Sequence, residues 1–177
     1  MQIRGFNIMK IIIAGILASF ISFAASAQEG PRTYWTLGGS LLSFDDGFDT
    51  INPIQVFGRL GYDFNANVGI GAELGFSLIE DEVLGVDFDV TTTFFYLKGS
   101  IPVGEDAKLY AMIGPTNVEL TGSFGGISAS ADDDDTGIGF GYEKSSGASA
   151  FSIDYIIYND NTGVDVTAIN LGFVNYF

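Results

Sequence analysis

The sequence predicts an all-β fold, an eight-stranded antiparallel up-and-down barrel that crosses a membrane with its strands. Three observations predict it. Apolar and polar residues alternate with a period of two along the chain after residue 27, and helical spacing does not recur there. The face opposite the apolar one consists of glycine, serine, threonine and charged residues, and glycine alone accounts for 24 of the 177 residues. The chain also begins with a short segment of the kind that directs export.

The N-terminal segment predicts export rather than anchoring. Its first ten residues carry two bases and no acid, an apolar run follows over 11–23, and Ala25-Ser26-Ala27 ends it with small residues. A signal peptide has this order of features. A membrane anchor is the alternative, but this apolar run of 13 residues is shorter than the ~20 that a spanning helix needs. We therefore expect cleavage between Ala27 and Gln28, with 28–177 as one barrel domain.

Eight segments show the alternation, each about as long as a membrane-spanning strand. They are Thr33–Phe44, Ile54–Phe64, Val68–Leu78, about Phe88–Ile101, Lys108–Leu120, Thr136–Lys144, Ala150–Asn159 and Val166–Phe177. The second alternates most cleanly, with Ile54, Val56, Leu60, Tyr62 and Phe64 on one face. In the second segment the polar face carries Gln55, Arg59 and Asp63, and in the third it carries glycine and Glu73.

The fourth segment is harder to orient, because Thr91–Leu97 has apolar residues on both faces. We orient the fourth segment with Lys98 inward, which turns outward Phe95, Leu97 and Ile101. In the fifth segment we place outward Tyr110, Met112, Val118 and Leu120. Asn117 and Glu119 then face inward. Pro115 fits this strand poorly, since proline removes a hydrogen bond from the ladder, and we expect a bulge or kink there.

The last three segments again have one apolar face. Their outward residues are Ile138, Phe140, Tyr142, Phe151, Ile153, Tyr155, Ile157, Ile169, Leu171, Phe173 and Phe177. Their inward residues are mostly glycine and polar side chains, among them Glu143, Ser152, Asp154 and Asn170. A soluble barrel would hide its apolar face inside, whereas a membrane barrel turns it to the lipid. Inward glycines relieve crowding in an eight-stranded barrel, whose interior only just accommodates side chains. A soluble lipocalin-like barrel is the alternative.

The connections alternate in length, which predicts an orientation. Those after strands two, four and six are short, and Thr121–Asp135 after strand five is the longest. Membrane barrels have short periplasmic turns and longer external loops, so both ends of the barrel domain fall on the periplasmic side. The outward aromatic residues that fall near that side form a predicted girdle at the membrane interface. They are Trp35, Tyr62, Phe64, Tyr110, Tyr142, Phe151 and Phe177.

The short connection Asn65–Asn67 also fixes a register. If these residues form a three-residue loop, residues whose numbers add to 132 lie opposite each other, so Arg59 faces Glu73 inside the barrel. The charge of each residue would then be paired with that of the other, which offsets the cost of removing both charges from water. We expect a structural network of inward charges, in which Arg59 and Lys98 neutralise Glu73, Glu119, Glu143 and Asp154.

The composition argues against an enzyme. The chain has no cysteine and no histidine, which excludes thiolate nucleophiles, histidine-based catalysis and the common metal sites of those residues. Known barrel enzymes of the outer membrane use histidine. Paired carboxylates can perform acid–base chemistry without it, but the inward acids lie on different strands. No cofactor is expected.

Acidic residues are concentrated in the predicted external connections. The chain has 22 acids and 7 bases, which gives a net charge of −15 and disfavours nucleic-acid binding. The external connections contain 13 of these acids: Asp45, Asp46, Asp49, Glu80, Asp81, Glu82, Asp87, Asp132, Asp133, Asp134, Asp135, Asp160 and Asp165. The run Asp132–Asp135 lacks the spacing of an EF-hand. We predict a solvated external loop there, with weak divalent-cation binding as the alternative.

The C-terminal stretch resembles the small outer-membrane barrels with an OmpA-like transmembrane domain. The resemblance covers the layout of residues 28–177, and its specific motifs are GIGFGYE at 137–143, IDYIIY at 153–158 and VDVTAINLGFVNYF at 164–177. It implies that the final strand is read by the outer-membrane assembly machinery through Ile169, Leu171, Phe173 and Phe177. Asn175 departs from the aromatic residue usual at its position. The resemblance further implies a monomer in the outer membrane of a Gram-negative bacterium, in contact with lipid and lipopolysaccharide.

Together these features predict a non-catalytic outer-membrane protein with a structural or surface role in the envelope. A surface binding module is the alternative, either an adhesin or a contact for divalent cations and lipopolysaccharide through the acidic loops. A narrow solute channel is disfavoured, because side chains fill the interior of an eight-stranded barrel.

Overall fold

The computed structural model describes residues 30–45, 50–79, 81–83, 86–124, 127–159 and 164–177. The predicted cleavage between Ala27 and Gln28 lies outside these residues. The described chain forms β1 (Arg32–Asp45), β2 (Thr50–Ile51), β3 (Ile54–Asp63), β4 (Val68–Ile79), β5 (Asp81–Val83), β6 (Val86–Pro102), β7 (Ala107–Phe124), β8 (Ile127–Ser146), β9 (Ser149–Asn159) and β10 (Asp165–Tyr176). Within these ranges no helix is long and apolar enough to cross a membrane.

Eight of the strands close into an antiparallel barrel, which confirms the predicted fold class. Each long strand pairs with the next long strand along the chain. β10 closes the barrel on β1, in a register that runs from Tyr34 opposite Tyr176 to Asp45 opposite Asp165. The short strands β2 and β5 pair with β1 and β6. Because the barrel is closed, the backbone N–H and C=O groups of neighbouring strands hydrogen-bond to one another. Such internal pairing is required in the hydrocarbon core of a bilayer, which offers no other hydrogen-bond partners.

The two ends of the barrel differ. At one end, which we call the turn end, tight turns join β3 to β4, β6 to β7 and β8 to β9. Asn65 shapes the first turn, because its side-chain Oδ1 accepts a hydrogen bond from the backbone N–H of Asn67 at 2.8 Å. Gly147 shapes the third with a φ of 66°, a conformation that glycine adopts without strain. At the other end, the hairpin end, β7 and β8 remain paired as far as Phe124 and Ile127.

Seven of the eight barrel strands have the faces that the alternation predicts. Their outward apolar side chains are exposed, such as Leu60 on β3 and Leu171 on β10. Their inward polar side chains are buried, such as Gln55 on β3 and Asn170 on β10. The barrel is therefore apolar outside, as a bilayer requires of transmembrane strands.

β7 has the opposite faces, so the prediction for this strand was wrong. Tyr110 is only 7% exposed and points into the barrel, and Met112 and Val118 are buried on the same face. Glu119, predicted inward, is exposed on the outer face. The pairing explains the reversal, because residues directly opposite in a ladder share a face, and Tyr110 lies opposite the inward Gly141. Tyr110 is therefore not part of the outer aromatic girdle.

The predicted external loop over residues 121–135 is also wrong in the described part of this range. It continues β7 and β8 as a paired hairpin, with Leu120 opposite Ala131 and Asn117 opposite Asp134. Asn117 Nδ2 donates a hydrogen bond to Asp134 Oδ1 at 3.0 Å. Asp132 and Asp134 project outward and Asp133 and Asp135 inward, as alternation in a strand dictates.

The expected bulge at Pro115 is not present. β6 and β7 keep one register on both sides of it, with Phe94 opposite Thr116 and Leu97 opposite Ile113. Between these two pairs the ladder is interrupted, as expected for a residue without an N–H. The neighbouring Gly114 approaches the Phe95 carbonyl so closely that a Cβ there would overlap its oxygen. Local loss of pairing, rather than an inserted residue, accommodates the proline.

Candidate functional site

A buried ion-pair network, which we call the central cluster, lies inside the barrel and consists of Arg59, Glu73 and Asp154. Arg59 on β3 lies opposite Glu73 on β4, which is the pair expected from the Asn65–Asn67 loop, and its Nε donates to Glu73 Oε2. Its Nη1 and Nη2 donate to the two carboxylate oxygens of Asp154 on β9, at 2.8 and 2.7 Å. The exposed fractions are 5% for Arg59, 0% for Glu73 and 2% for Asp154. One guanidinium thus forms ion pairs with two carboxylates on different walls of the barrel.

Hydroxyl and amide groups complete the hydrogen bonding of the central cluster. The Tyr110 hydroxyl donates to Asp154 Oδ2 at 2.7 Å, and Asn170 Nδ2 donates to Asp154 Oδ1 at 3.1 Å. The Tyr158 hydroxyl donates to Glu73 Oε1. Buried ion pairs are stable only when such additional hydrogen bonds satisfy the remaining lone pairs. These donors make the cluster a structural network rather than an exposed acid–base pair.

A second network, the turn-side cluster, lies nearer the turn end and consists of Asp63, Lys98, Lys108 and Glu143. Lys98 Nζ lies 2.6 Å from Asp63 Oδ1, and Lys108 Nζ lies 3.2 Å from Glu143 Oε1 and 3.6 Å from Asp63 Oδ2. The Tyr176 hydroxyl bridges the second pair, since it donates to Glu143 at 2.5 Å and accepts from Lys108 at 2.6 Å. Lys108 and Asp63 were not predicted as partners, because they lie on strands that are not neighbours.

The space between the two clusters is almost filled. The hydroxyls of Tyr34 and Tyr96 are 3.1 Å apart, and Lys98 Nζ lies 4.0 Å from the centre of the Tyr34 ring. A cavity of about 10 Å³ remains there. Such a volume holds no more than one water molecule. Ser152 Oγ lines this cavity and is buried without a hydrogen-bond partner among the described residues. The charges therefore close the lumen at two levels.

Three tyrosines reach the lumen because each lies opposite a glycine. Tyr34 lies opposite Gly61, Tyr96 opposite Gly71, and Tyr110 opposite Gly141. A Cβ on any of these three glycines would overlap the facing ring or its hydroxyl. The inward glycines thus relieve crowding inside the barrel, as the sequence analysis predicted.

The interior towards the hairpin end is apolar, which the sequence analysis did not predict. Buried side chains of five strands form one cluster there with the inner tyrosines: Leu42, Phe44, Val90, Phe94, Met112, Val118, Ile156, Val166 and Ala168. The lumen therefore changes from charged at the turn side to apolar at the hairpin side. The sequence contained a signal for this change. Leu42 and Phe44 follow the inward Ser40 by two and four residues, so alternation places these two apolar side chains on the inward face as well.

Several outward aromatic side chains of the predicted girdle pack in pairs on the outer surface. Tyr62 and Phe64 pack edge to face with ring centres 5.3 Å apart, and Trp35 and Phe151 each contact Phe173. Tyr142 is also outward and exposed. The proposed assembly residues of the last strand, Ile169, Leu171, Phe173 and Phe177, are all exposed on this outer surface.

The acidic run at 132–135 does not converge on a metal site. Its side chains alternate between the two faces of β8, and within the described ranges no group of three or more acidic residues is placed to hold a metal ion. The described structure therefore does not bring together the weak metal candidates Asp132, Asp133, Asp134 and Asp135.

A closed antiparallel barrel with an apolar outer surface and an ion-paired interior defines an integral membrane β-barrel. The profile of the family "Outer membrane protein beta-barrel domain" matches residues 13–177. The chain belongs to this family and is a β-barrel protein of the Gram-negative outer membrane.

Several solved structures have the same fold. Ail, the attachment invasion locus protein of Yersinia pestis, is 18% identical and matches 84% of this chain and 100% of its own, with a TM-score of 0.68. Neisserial surface protein A is 13% identical over 84% of this chain and 100% of its own, with a TM-score of 0.70. The N-terminal barrel domain of Pseudomonas aeruginosa OprF is 13% identical over 82% and 99%, with a TM-score of 0.58. No curated protein sequence matches significantly.

Proposed function

We propose that this protein is a non-catalytic, non-conducting envelope protein that presents its hairpin end at the cell surface. The closure of the lumen by the central and turn-side clusters carries the proposal, because it leaves space for about one water molecule between them. The same clusters argue against acid–base catalysis, since Arg59 forms ion pairs with both Glu73 and Asp154. The protein then acts through its surfaces rather than through its interior.

A conductance measurement tests the closed lumen. We expect the purified protein, reconstituted in a planar bilayer, to give no sustained conductance steps at neutral pH. A larger porin in the same bilayer is the positive control. Steady unitary steps whose number rises with the amount of this protein inserted would show an open path and overturn the proposed closure.

The absence of cysteine from the sequence makes the orientation directly testable. Ser130 at the hairpin end and Ser146 at the turn end are both exposed. In intact cells, a membrane-impermeant maleimide is expected to label Ser130→Cys, and to label Ser146→Cys only after the outer membrane is opened. The opposite pattern would place the hairpin end in the periplasm and contradict the proposed surface role.

The segregation of charge supports a second candidate function, the binding of a cationic partner at the hairpin end. Acidic residues are frequent in the ranges 45–49, 80–87, 132–135 and 160–165 towards the hairpin end, and none of the bases after residue 27 falls in these ranges. The structure of Ail was determined with the heparin analogue sucrose octasulfate. An acidic surface repels such a polyanion, so we propose a basic partner for this chain instead.

A further inference from the structure

The outer wall of the barrel has a groove across β1, β3 and β4. It lies over Gly58 of β3, which stands between Leu37 of β1 and Leu74 of β4 in the two ladders. The nearest atom to a Cβ at Gly58 is Leu37 Cδ2 at 3.6 Å, which is ordinary contact, so the missing side chain leaves a gap between the two leucines. The groove encloses about 790 Å³, a volume within the range of pockets that hold one small molecule.

The outward side chains that line the groove are apolar and open to the surroundings. Leu37, Leu60 and Phe76 are each more than half exposed, so the described parts of the chain leave the groove uncovered. The other outward side chains of the lining are Trp35, Val56, Ala72 and Leu74. Because this wall belongs to a barrel of the outer membrane, the groove opens towards the hydrocarbon of the bilayer.

The groove lies in the half of the barrel nearer the turn end. Trp35 is three residues from the start of β1 at Arg32, and Leu60 is three residues from the end of β3 at Asp63. At about 3.4 Å per residue, the groove therefore begins about 10 Å along these strands from the turn end. Trp35 lines this end of the groove, and tryptophan is enriched where a bilayer meets water.

The groove is as wide as one hydrocarbon chain. Leu37 and Leu74 stand on the two strands that flank β3, so their backbones are separated by two strand spacings, about 9–10 Å. A carbon chain in contact with a side chain on each side needs about 7–8 Å, because each carbon–carbon contact takes about 3.5–4.0 Å. One chain therefore fits between the leucines, and two chains do not.

A second copy of this chain fits the groove poorly. A twofold dimer through this wall would place the same patch on both partners. The groove over Gly58 would then face another groove and leave a void, whose lining loses its contacts. A flexible lipid chain fills the gap without this cost.

We propose that the groove over Gly58 binds one straight acyl chain of a phospholipid from the periplasmic leaflet, more tightly than lipid binds to the rest of the wall. Apolar contacts with Leu37, Leu60 and Leu74 hold the chain, and the amphipathic Trp35 ring lies towards its headgroup end. The assignment to the periplasmic leaflet rests on the proposed exposure of the hairpin end at the cell surface.

Quenching of Trp35 fluorescence tests the proposal, because Trp35 is the single tryptophan of the chain and lines the groove. The purified protein is reconstituted in vesicles of diphytanoylphosphatidylcholine, whose methyl-branched chains are wider than a straight chain. A few per cent of this lipid is replaced by a straight-chain phosphatidylcholine with brominated acyl chains, since bromine quenches tryptophan on contact. We expect at least threefold more quenching than in Gly58→Leu, whose added side chain occupies the gap. Straight-chain phosphatidylethanolamine without bromine should relieve the quenching.

Two groove variants and one control separate chain binding from other effects. Gly58→Leu adds an outward side chain where a Cβ has only ordinary contacts, so the barrel should still fold, and Ala72→Leu narrows the groove from β4. Leu109→Phe is the matched control, because it enlarges an exposed outward side chain on β7, on another side of the barrel. It should be quenched like the unmodified protein. Acrylamide, a water-soluble quencher, should act equally on all four proteins.

Three outcomes would overturn the inference. Equal quenching of the unmodified protein and both groove variants would show that lipid covers the wall uniformly. Self-association that Gly58→Leu and Ala72→Leu abolish would assign the groove to a second copy. Labelling of Ser146→Cys instead of Ser130→Cys in intact cells would refute the periplasmic leaflet as the source of the chain. Quenching is measured on purified protein, so its failure alone would leave the proposed surface role intact.

Discussion

Arg59→Met is expected to lower the free energy of unfolding by about 3–5 kcal/mol, because it removes one partner of a buried ion-pair network. Methionine has similar length and no charge, so the main loss is electrostatic. Glu73 and Asp154 would remain buried without a cation within hydrogen-bond distance of their present positions. Tyr110, Tyr158 and Asn170 donate only neutral hydrogen bonds and cannot replace the guanidinium.

Urea unfolding of the barrel in lipid vesicles measures this effect, with the fluorescence of Trp35, the single tryptophan, as the probe. Lys144→Met is the matched control, since Lys144 and its partner Asp106 are both exposed at the turn end and 2.8 Å apart. The hydrogen bond from Lys144 lowers the pKa of the Asp106 carboxyl, but an exposed pair contributes little to stability. Equal losses for the two variants would contradict a structural role for the central cluster.

A triple variant distinguishes lost charge from lost packing. Arg59→Met combined with Glu73→Gln and Asp154→Asn leaves no buried charge at the site, so most of the stability lost in Arg59→Met should return. If the triple variant is no more stable than the single one, the contacts of the guanidinium with its neighbours, such as the Phe57 ring 4.7 Å from Cζ, carry the effect instead.

The pairing of Arg59 with Glu73 could be predicted because it depends on local information. Two strands with strict alternation and a three-residue loop between them fix both the face and the register. The contact with Asp154 could not be predicted in this way. β3 and β9 are separated by two other strands around the barrel, and their contact depends on the closure and stagger of the whole sheet.

β7 shows where alternation alone fails. Leu109, Ala111 and Ile113 are apolar on one face, and Tyr110 and Met112 are apolar on the other, so hydrophobicity does not choose between them. The choice depends on the neighbouring strand. Glycines on β8 leave room for the tyrosine and the methionine inside the barrel, and the tyrosine hydroxyl finds a buried acceptor in Asp154. A pairwise comparison of large and small residues across strands would have found this orientation.

The acidic run was predicted as a loop because blocks of like charge usually remain hydrated. The hairpin tolerates it because the strands there lie beyond the apolar wall of the barrel, where outward carboxylates such as Asp132 and Asp134 are exposed. The sequence did contain a hairpin indication, since the dipeptide Gly125-Gly126, typical of two-residue hairpin turns, separates Phe124 from Ile127.

Gly38→Ala is expected to destabilise the barrel by about 1–3 kcal/mol, because it adds a methyl group to a filled interior. Gly38 is on the inward face of β1, between Phe57 on β3 and Gly172 on β10. A Cβ there would overlap the Leu171 carbonyl oxygen and lie 2.6 Å from the Phe57 ring. Phe57 is buried and packs against Arg59, so it has little freedom to move away.

Gly39→Ala is the matched control, one residue along the same strand and on the opposite face. The nearest atom to a Cβ there is the Gln55 carbonyl oxygen at 4.0 Å, which is ordinary contact. Neither glycine has a positive φ, so backbone strain does not distinguish the two substitutions. Alanine in place of glycine also loses less entropy on folding, and Gly39→Ala should leave the stability unchanged or raise it by up to about 1 kcal/mol. Equal losses at both positions would point to the backbone rather than to the space around each side chain. A loss of stability in Gly39→Ala alone would mean that β1 has the opposite orientation. That result would contradict the assignment of the barrel interior.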